Sequence, residues 1–141
     1  MEWATAAQLA FLAGSRIGHL ATVDGRARPH VVPICFAVLD TCIYSALDEK
    51  PKQVSVDRLR RVLDITTNPA VCLVVDRYSE DWSKLAWVQV RATANLVSAH
   101  EVDHNRAVAA LRARYAQYRT MRLEERPLLR LIPNRVVSWG V

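Results

Sequence analysis

The chain has 141 residues, 51% of them hydrophobic and 23% charged, with a net charge of +5. That length suits one domain, residues 1–141, with enough apolar material to bury a core without staples. No apolar run approaches the ~20 residues that span a bilayer, and residues 1–14 lack the basic start and long apolar stretch of a signal peptide, so a cytoplasmic chain is expected.

Residues 2–13 are alanine-rich with apolar positions at helical spacing, and Gly14 suits a C-terminal cap. Residues 16–23 read as a strand, followed by an Asp24-Gly25 turn. Residues 28–39 form a second, long strand-like run. Pro29 and Pro33 within it argue for an edge, a bulge, or backbone groups that face something other than a neighbouring strand. Asp40-Thr41 turns the chain into a strand at 42–46, which predicts a three-strand meander. Residues 56–63 carry an apolar stripe at helical spacing, ended by Asn68-Pro69. Residues 70–78 are a buried strand, 79–85 a polar loop carrying Trp82, and 86–97 an alternating strand. On the latter, Trp87, Gln89, Arg91 and Thr93 share one face. A helix over 98–118 follows, with Ser98 and Glu101 spaced as a capping box. Residues 128–141 close the chain as a strand interrupted by Pro133. Hairpins joined by helices predict a small closed barrel with helices at its ends and sides.

The cysteines Cys35, Cys42 and Cys72 are odd in number and lie in apolar runs without Cys-x-x-Cys spacing, as expected of reduced core thiols. The sixteen arginines are spread along the chain and only 7% of residues are aromatic, which argues against nucleic acid as a partner. Lysine is rare by contrast. Two of the three lysines sit in Lys50-Pro51-Lys52, just after the strand at 42–46. Such a pair is either a solvated charged turn or a compact, mobile cationic site for a phosphate or another small anion.

His100-Glu101-Val102-Asp103-His104 matches the zincin spacing, with Glu124 downstream as a third ligand in such a reading. The capping role expected of Glu101 and the missing Gly-x-x-His extension argue against a zinc centre, so no metal is expected. Gly-x-Gly-x-x-Gly, a Gly-rich phosphate loop and Gly-x-Ser-x-Gly are all missing from the sequence.

The stretch from Arg16 to Gly25, then Arg28-Pro29-His30-Val31-Val32-Pro33-Ile34, resembles the first hairpin of the pyridoxamine 5′-phosphate oxidase-like split β-barrel superfamily. Ile43-Tyr44-Ser45-Ala46-Leu47-Asp48-Glu49-Lys50-Pro51-Lys52 looks like the loop that grips the cofactor phosphate in that superfamily. The similarity extends over essentially the whole chain. It is strongest to small actinobacterial proteins described as coenzyme F420-dependent enzymes, a source with which the arginine-rich composition agrees.

The resemblance implies a mainly β, six-stranded antiparallel split barrel of the flavin reductase and FMN-binding type. It implies a homodimer with FMN or the deazaflavin coenzyme F420 in a groove between subunits. Lys50 and Lys52 would hold the cofactor phosphate, helped by the Ser45 hydroxyl and backbone N–H groups near Ala46. Main chain at Val31, Val32, Pro33 and Ile34 would flank the ring system. Trp87 of the second subunit would complete the groove, and the Trp82 loop would cover the substrate side. Arg26, Arg28, Arg58 or Arg61 would line its rim, with His30 and Tyr44 as candidate proton donors. The chain departs from true pyridoxamine phosphate oxidases, because the C-terminal Arg-x-His is missing and Lys-Pro-Lys replaces an Arg-Lys clamp. The expected function is an oxidoreductase passing hydride between coenzyme F420 and a small organic acceptor. The alternatives are an FMN-binding flavin reductase and a non-enzymatic cofactor or tetrapyrrole carrier of the same fold.

Overall fold

A capping box opens the first helix: Thr5 Oγ1 accepts from the Gln8 N–H at 3.1 Å, and Gln8 Oε1 accepts from the Thr5 N–H at 2.9 Å. The helix, α1 (Ala6–Gly14), therefore begins four residues later than the apolar spacing suggests. Its C-cap is Ser15, not Gly14. Residues 2–47 and 60–141 are described by this computed structural model.

β1 (Gly18–Val23) and β2 (Pro29–Ile34) form an antiparallel hairpin, with Gly18 opposite Ile34 and Val23 opposite Pro29. Asp24 organises the turn. Its carboxylate accepts from the Arg26 N–H at 2.8 Å, the Arg28 N–H at 3.0 Å and Arg28 Nε at 2.8 Å. The Asp24 N–H in turn donates to the Arg28 carbonyl at 3.0 Å, so Arg28 and Asp24 form a bonded pair. Bonded and non-bonded pairs alternate along an antiparallel ladder, so Pro29, Val31 and Pro33 turn their backbone groups away from β1. β2 is the edge of the sheet, and its two prolines forfeit no ladder bond.

The run 28–39 is not one strand. It breaks at Cys35-Phe36, and β3 (Ala37–Leu39) pairs only with β4 (Cys42–Ala46). No meander forms, because the break carries the β3–β4 hairpin to the opposite end of the sheet. The order is β2-β1-β5-β6-β7-β4-β3, with β5 (Ala70–Arg77), β6 (Ala86–Val97) and β7 (Leu128–Trp139) at the centre. Seven strands laid flat would separate the two edges by ~29 Å. Yet Ile34 and Ala37, the ends of the two edge strands, are three residues apart and within ~11 Å along the chain. The sheet must therefore curl until its edges face each other without bonding. The result is a mostly antiparallel split barrel, open where a closed barrel was expected, with seven strands among the described residues because the broken run counts twice.

Among the described residues, two buried clusters form the core. One, inside the curl, gathers Leu20, Phe36, Ile43, Leu73, Val90 and Leu131. The second lies under α3 (Val102–Arg114), which packs on β3 and β4 through Ala107, Val108 and Leu111. The expected helix over 98–118 is shorter at both ends. Ser98 and Glu101 form a backbone turn, and Glu101 makes no side-chain capping bond. β7 runs through Pro133 without interruption, because a bulge opposite Arg91 and Ala92 absorbs the proline. α2 (Arg60–Thr67) packs on β1 and β6 and ends before Asn68-Pro69, as the spacing predicts. Among the described residues, no helix is long and apolar enough to cross a membrane.

Candidate functional site

The crossing between the two barrel edges builds a groove. Cys35, at the crossing, offers its carbonyl to the Ser45 hydroxyl of β4 at 2.7 Å. Phe36, fully buried, donates its N–H to the Tyr115 hydroxyl at 3.1 Å and places its carbonyl 3.0 Å from the same oxygen. That hydroxyl also lies 2.8 Å from the Arg16 carbonyl, so the start of β1, the crossing and the end of α3 meet on one phenol. The Arg114 guanidinium sits over the Tyr115 and Phe36 rings and donates to the Ala13 carbonyl at 2.7 Å.

Beside this junction lies a hollow of about 190 Å³, lined by Ile17, Pro33, Ile34, Cys35, Ser45, Ala46, Arg61 and Tyr118. Four of the residues assigned to a cofactor from sequence, Pro33, Ile34, Ser45 and Ala46, thus come together here. Arg61, named as a rim cation, reaches the hollow from α2. Cys35, Ile17 and Tyr118 were not foreseen. Tyr118 arrives on a short 3₁₀ turn, Ala116–Arg119, where the sequence predicts continuing helix. The Ser45 side chain is buried and its proton is committed to Cys35, which leaves the hydroxyl oxygen as an acceptor.

Other assignments fall elsewhere. Val31 is 62% exposed on the outer face of β2, and Val32 packs partly against the core, so neither side chain lines the hollow. The backbone of Val31 does face the open edge beside Pro33. Trp87 sits on the outer face of β6, between Asp76 and Trp139, and does not reach the hollow within its own chain. Trp82 is exposed on the 3₁₀ turn Trp82–Lys84. Arg28 is held by Asp24 and lies five residues, ~17 Å along the strand, from Pro33. His30 stands opposite Thr22, away from the hollow. Tyr44 is buried under α3, and that burial pushes its phenol above the ordinary value. Lys50, Lys52 and Arg58 lie outside the described residues. The segment that holds them leaves after Leu47 and returns at Arg60, next to the lining residues Ala46 and Arg61.

The His-Glu-x-x-His motif has a local account. His104 is fully buried and its Nε2 lies 2.6 Å from the Arg126 carbonyl, which places a proton on that nitrogen. His100 is exposed, and Glu124 is engaged by Arg112. Among the described residues two larger hollows are also found, the first sharing Ile17 with the hollow at the crossing. One of about 510 Å³ sits between α1, β1 and β5, and one of about 420 Å³ on the outer face of β5 to β7.

No functionally curated protein matches the sequence. The fold has close parallels among solved structures. A conserved hypothetical protein of Mycobacterium tuberculosis, Rv2991, superposes with a TM-score of 0.77 at 20% identity, over 96% of this chain and 84% of that one. The heme storage protein HutZ of Vibrio cholerae superposes with a TM-score of 0.75 at 17% identity, over 99% and 94%. An FAD-binding protein of Mesorhizobium loti superposes with a TM-score of 0.68 at 19% identity, over 96% and 94%. At the level of sequence, the profile described as pyridoxamine 5′-phosphate oxidase matches residues 4–140. The chain belongs to the pyridoxamine 5′-phosphate oxidase family.

Proposed function

We propose that this chain is an oxidoreductase that uses the deazaflavin coenzyme F420 to pass hydride to a small organic acceptor. The observation that carries the reading is the convergence of Pro33, Ile34, Ser45 and Ala46, from two separate stretches of sequence, on one groove with Arg61. The donor set suits a flavin-type ring. The open edge of β2 offers the Val31 N–H together with the carbonyls of Pro29, Val31 and Pro33, a linear row for the polar rim of a flat heterocycle. Arg61 offers a fixed fork of donors for an anionic group. Lys50 and Lys52, in the segment that begins and ends beside this groove, hold the cofactor phosphate in this reading.

A hollow of about 190 Å³ is smaller than the roughly 300–1,000 Å³ of most ligand sites, so a cofactor of this size needs a second wall. In a homodimer the second copy supplies it, with Trp87 on the outer sheet face as the side chain that closes over the ring. When bound, the coenzyme supplies the hydride chemistry, and the protein's part is orientation and electrostatics. The β2 backbone edge sets the plane of the ring, the cations anchor the tail, and the apolar Ile17, Ile34 and Ala46 exclude water from one side.

The second reading is a non-enzymatic carrier of FMN or a tetrapyrrole in the same groove. The likeness to a heme storage protein and to an FAD-binding protein favours it. Fluorescence and absorbance titrations with coenzyme F420, FMN and heme separate the two, run on wild type and on Lys50→Ala plus Lys52→Ala. We expect wild type to bind coenzyme F420 and the double variant to bind it at least ~10-fold more weakly. Equal binding by the two proteins, or none by wild type, overturns the assignment. Tight FMN or heme binding, with no single-turnover oxidation of reduced coenzyme F420 by quinone or enone acceptors, moves the chain to the second reading.

A further inference from the structure

The short turn that carries Tyr118 into the groove is held by one guanidinium outside it. Arg112, in the last turn of α3, donates from Nε to the Tyr118 carbonyl at 3.0 Å and from Nη2 to the Met121 carbonyl at 2.7 Å. Its third nitrogen, Nη1, bonds the Glu124 carboxylate, and that bond holds the Glu124 carboxyl below its ordinary value. All three nitrogens of the side chain therefore engage one stretch, residues 118–124. Backbone bonds within the stretch are local. The Tyr118 N–H donates to the Tyr115 carbonyl at 3.1 Å, the Met121 N–H to the Tyr118 carbonyl at 3.4 Å, and the Leu123 N–H to the Met121 carbonyl at 3.1 Å. Each closes a turn of two or three residues and fixes nothing relative to α3. A four-residue 3₁₀ segment has little stability of its own. The far end of the stretch is held separately, by His104 on the Arg126 carbonyl.

Tyr118 is buried edge-on to Tyr115, with ring centroids 5.6 Å apart and planes at 70°. It thus stands between a ring tied to the crossing and a backbone tied to α3. Arg112 lines no part of the hollow. Its removal strands no acceptor, because the Tyr118 carbonyl keeps the Met121 N–H, the Met121 carbonyl keeps the Leu123 N–H, and Glu124 is exposed to water. Neither buried cluster includes Arg112. What its loss changes is the placement of the turn more than the stability of the core.

We propose that Arg112 is a positioning residue for the cofactor groove and acts through Tyr118. Its guanidinium fixes the wall that Tyr118 presents to the ring, so cofactor affinity depends on a side chain that does not touch the cofactor. This inference rests on the reading of the groove as the seat of a flat, flavin-type ring.

The test titrates coenzyme F420 and FMN, by fluorescence, into wild type, Arg112→Met, Arg112→Lys, Tyr118→Leu, and Arg112→Met plus Tyr118→Leu. Arg106→Gln, which breaks an ion pair of the same helix with Asp40, is the control. Circular dichroism establishes that each variant is folded at the temperature of the titration. We expect Arg112→Met and Tyr118→Leu each to raise the Kd of the bound cofactor by about tenfold. Arg112→Lys should fall between, since one ammonium cannot hold three separated acceptors. Arg106→Gln should bind as wild type does. In the Tyr118→Leu background, Arg112→Met should add less than about twofold, because residues that act as one unit do not add. A general loss of stability would instead multiply the two effects, and that result overturns the proposal. So does wild-type affinity in Arg112→Met, or in Arg112→Lys where the methionine variant does not fold. Binding that Lys50→Ala plus Lys52→Ala weakens and the Arg112 variants leave unchanged sinks this inference alone. A wild type that binds neither cofactor overturns this inference and the reading of the groove together.

Discussion

Tyr115→Phe removes one oxygen from the junction that holds the two barrel edges together and leaves the aromatic ring in place. That oxygen accepts from the Phe36 N–H and, at 3.3 Å, from Arg114 Nη2, and has the Arg16 and Phe36 carbonyls as acceptors for its single proton. Loss of the donated bond costs about 1 kcal/mol, and the Phe36 N–H, left unpaired beside a fully buried side chain, adds about 1.5 kcal/mol. The sum, about 2.5 kcal/mol, should lower the melting temperature of a chain of this size by about 10 °C. The Arg114 and Arg16 guanidiniums keep a ring to stack on, so the difference reports the hydroxyl. Urea denaturation followed by circular dichroism gives the free energy, and hydrogen exchange at Phe36 gives the local effect. A melting shift under about 3 °C, with Phe36 protection unchanged, would refute the view that this phenol holds the split together.

Two further predictions concern carboxylates that bond to the first hairpin, one from α2 and one from the turn itself. Asp64, buried in α2, accepts from Thr22 Oγ1 at 2.6 Å, and among the described residues its other oxygen has only Arg60, at 3.9 Å. Thr22→Val keeps the shape and removes the donor. It should cost about 2–3 kcal/mol in urea unfolding, and a cost under about 0.5 kcal/mol would mean the bond contributes little. Asp24 is held at a pKa of about 2, below its ordinary 3.8, by the backbone N–H groups of Arg28 and Arg26 and by the Arg28 guanidinium. A depressed folded pKa means its stabilisation is complete above about pH 4 and is lost as the pH falls towards 2. The urea midpoints of wild type and Asp24→Asn should therefore converge over that window. A gap that stays constant from pH 5 to pH 2 would show that the charge is not what stabilises the turn.

Much of the local structure is legible in the sequence. The strand at 86–97 appears with those bounds, because its strict alternation admits one inward face. Asp24-Gly25 reads as a turn from residue chemistry alone. The helix starts are less legible. Apolar spacing over residues 2–13 continues past the point where Thr5 and Gln8 cap the helix, and Ser98 has the right spacing for a box that the chain forms as a plain turn.

The sequence by itself determined most of the elements and the family, and it limited the proline strand to an edge, a bulge or an unpaired backbone face, since alternation, spacing and proline chemistry are properties of neighbouring residues. The resemblance also named Pro33, Ile34, Ser45 and Ala46, which the fold brings to one hollow, together with Val31, Val32 and Trp87, whose side chains it places elsewhere. Only the tertiary structure decided that the run 28–39 breaks at Cys35-Phe36 and that this break joins opposite ends of the sheet. The bonds responsible come from Ser45 and Tyr115, 10 and 79 residues away, and no local pattern announces them. The same long-range closure brings Arg61 and Tyr118 to the groove and sets Arg91 against Arg135, because register across strands follows from how the whole sheet curls.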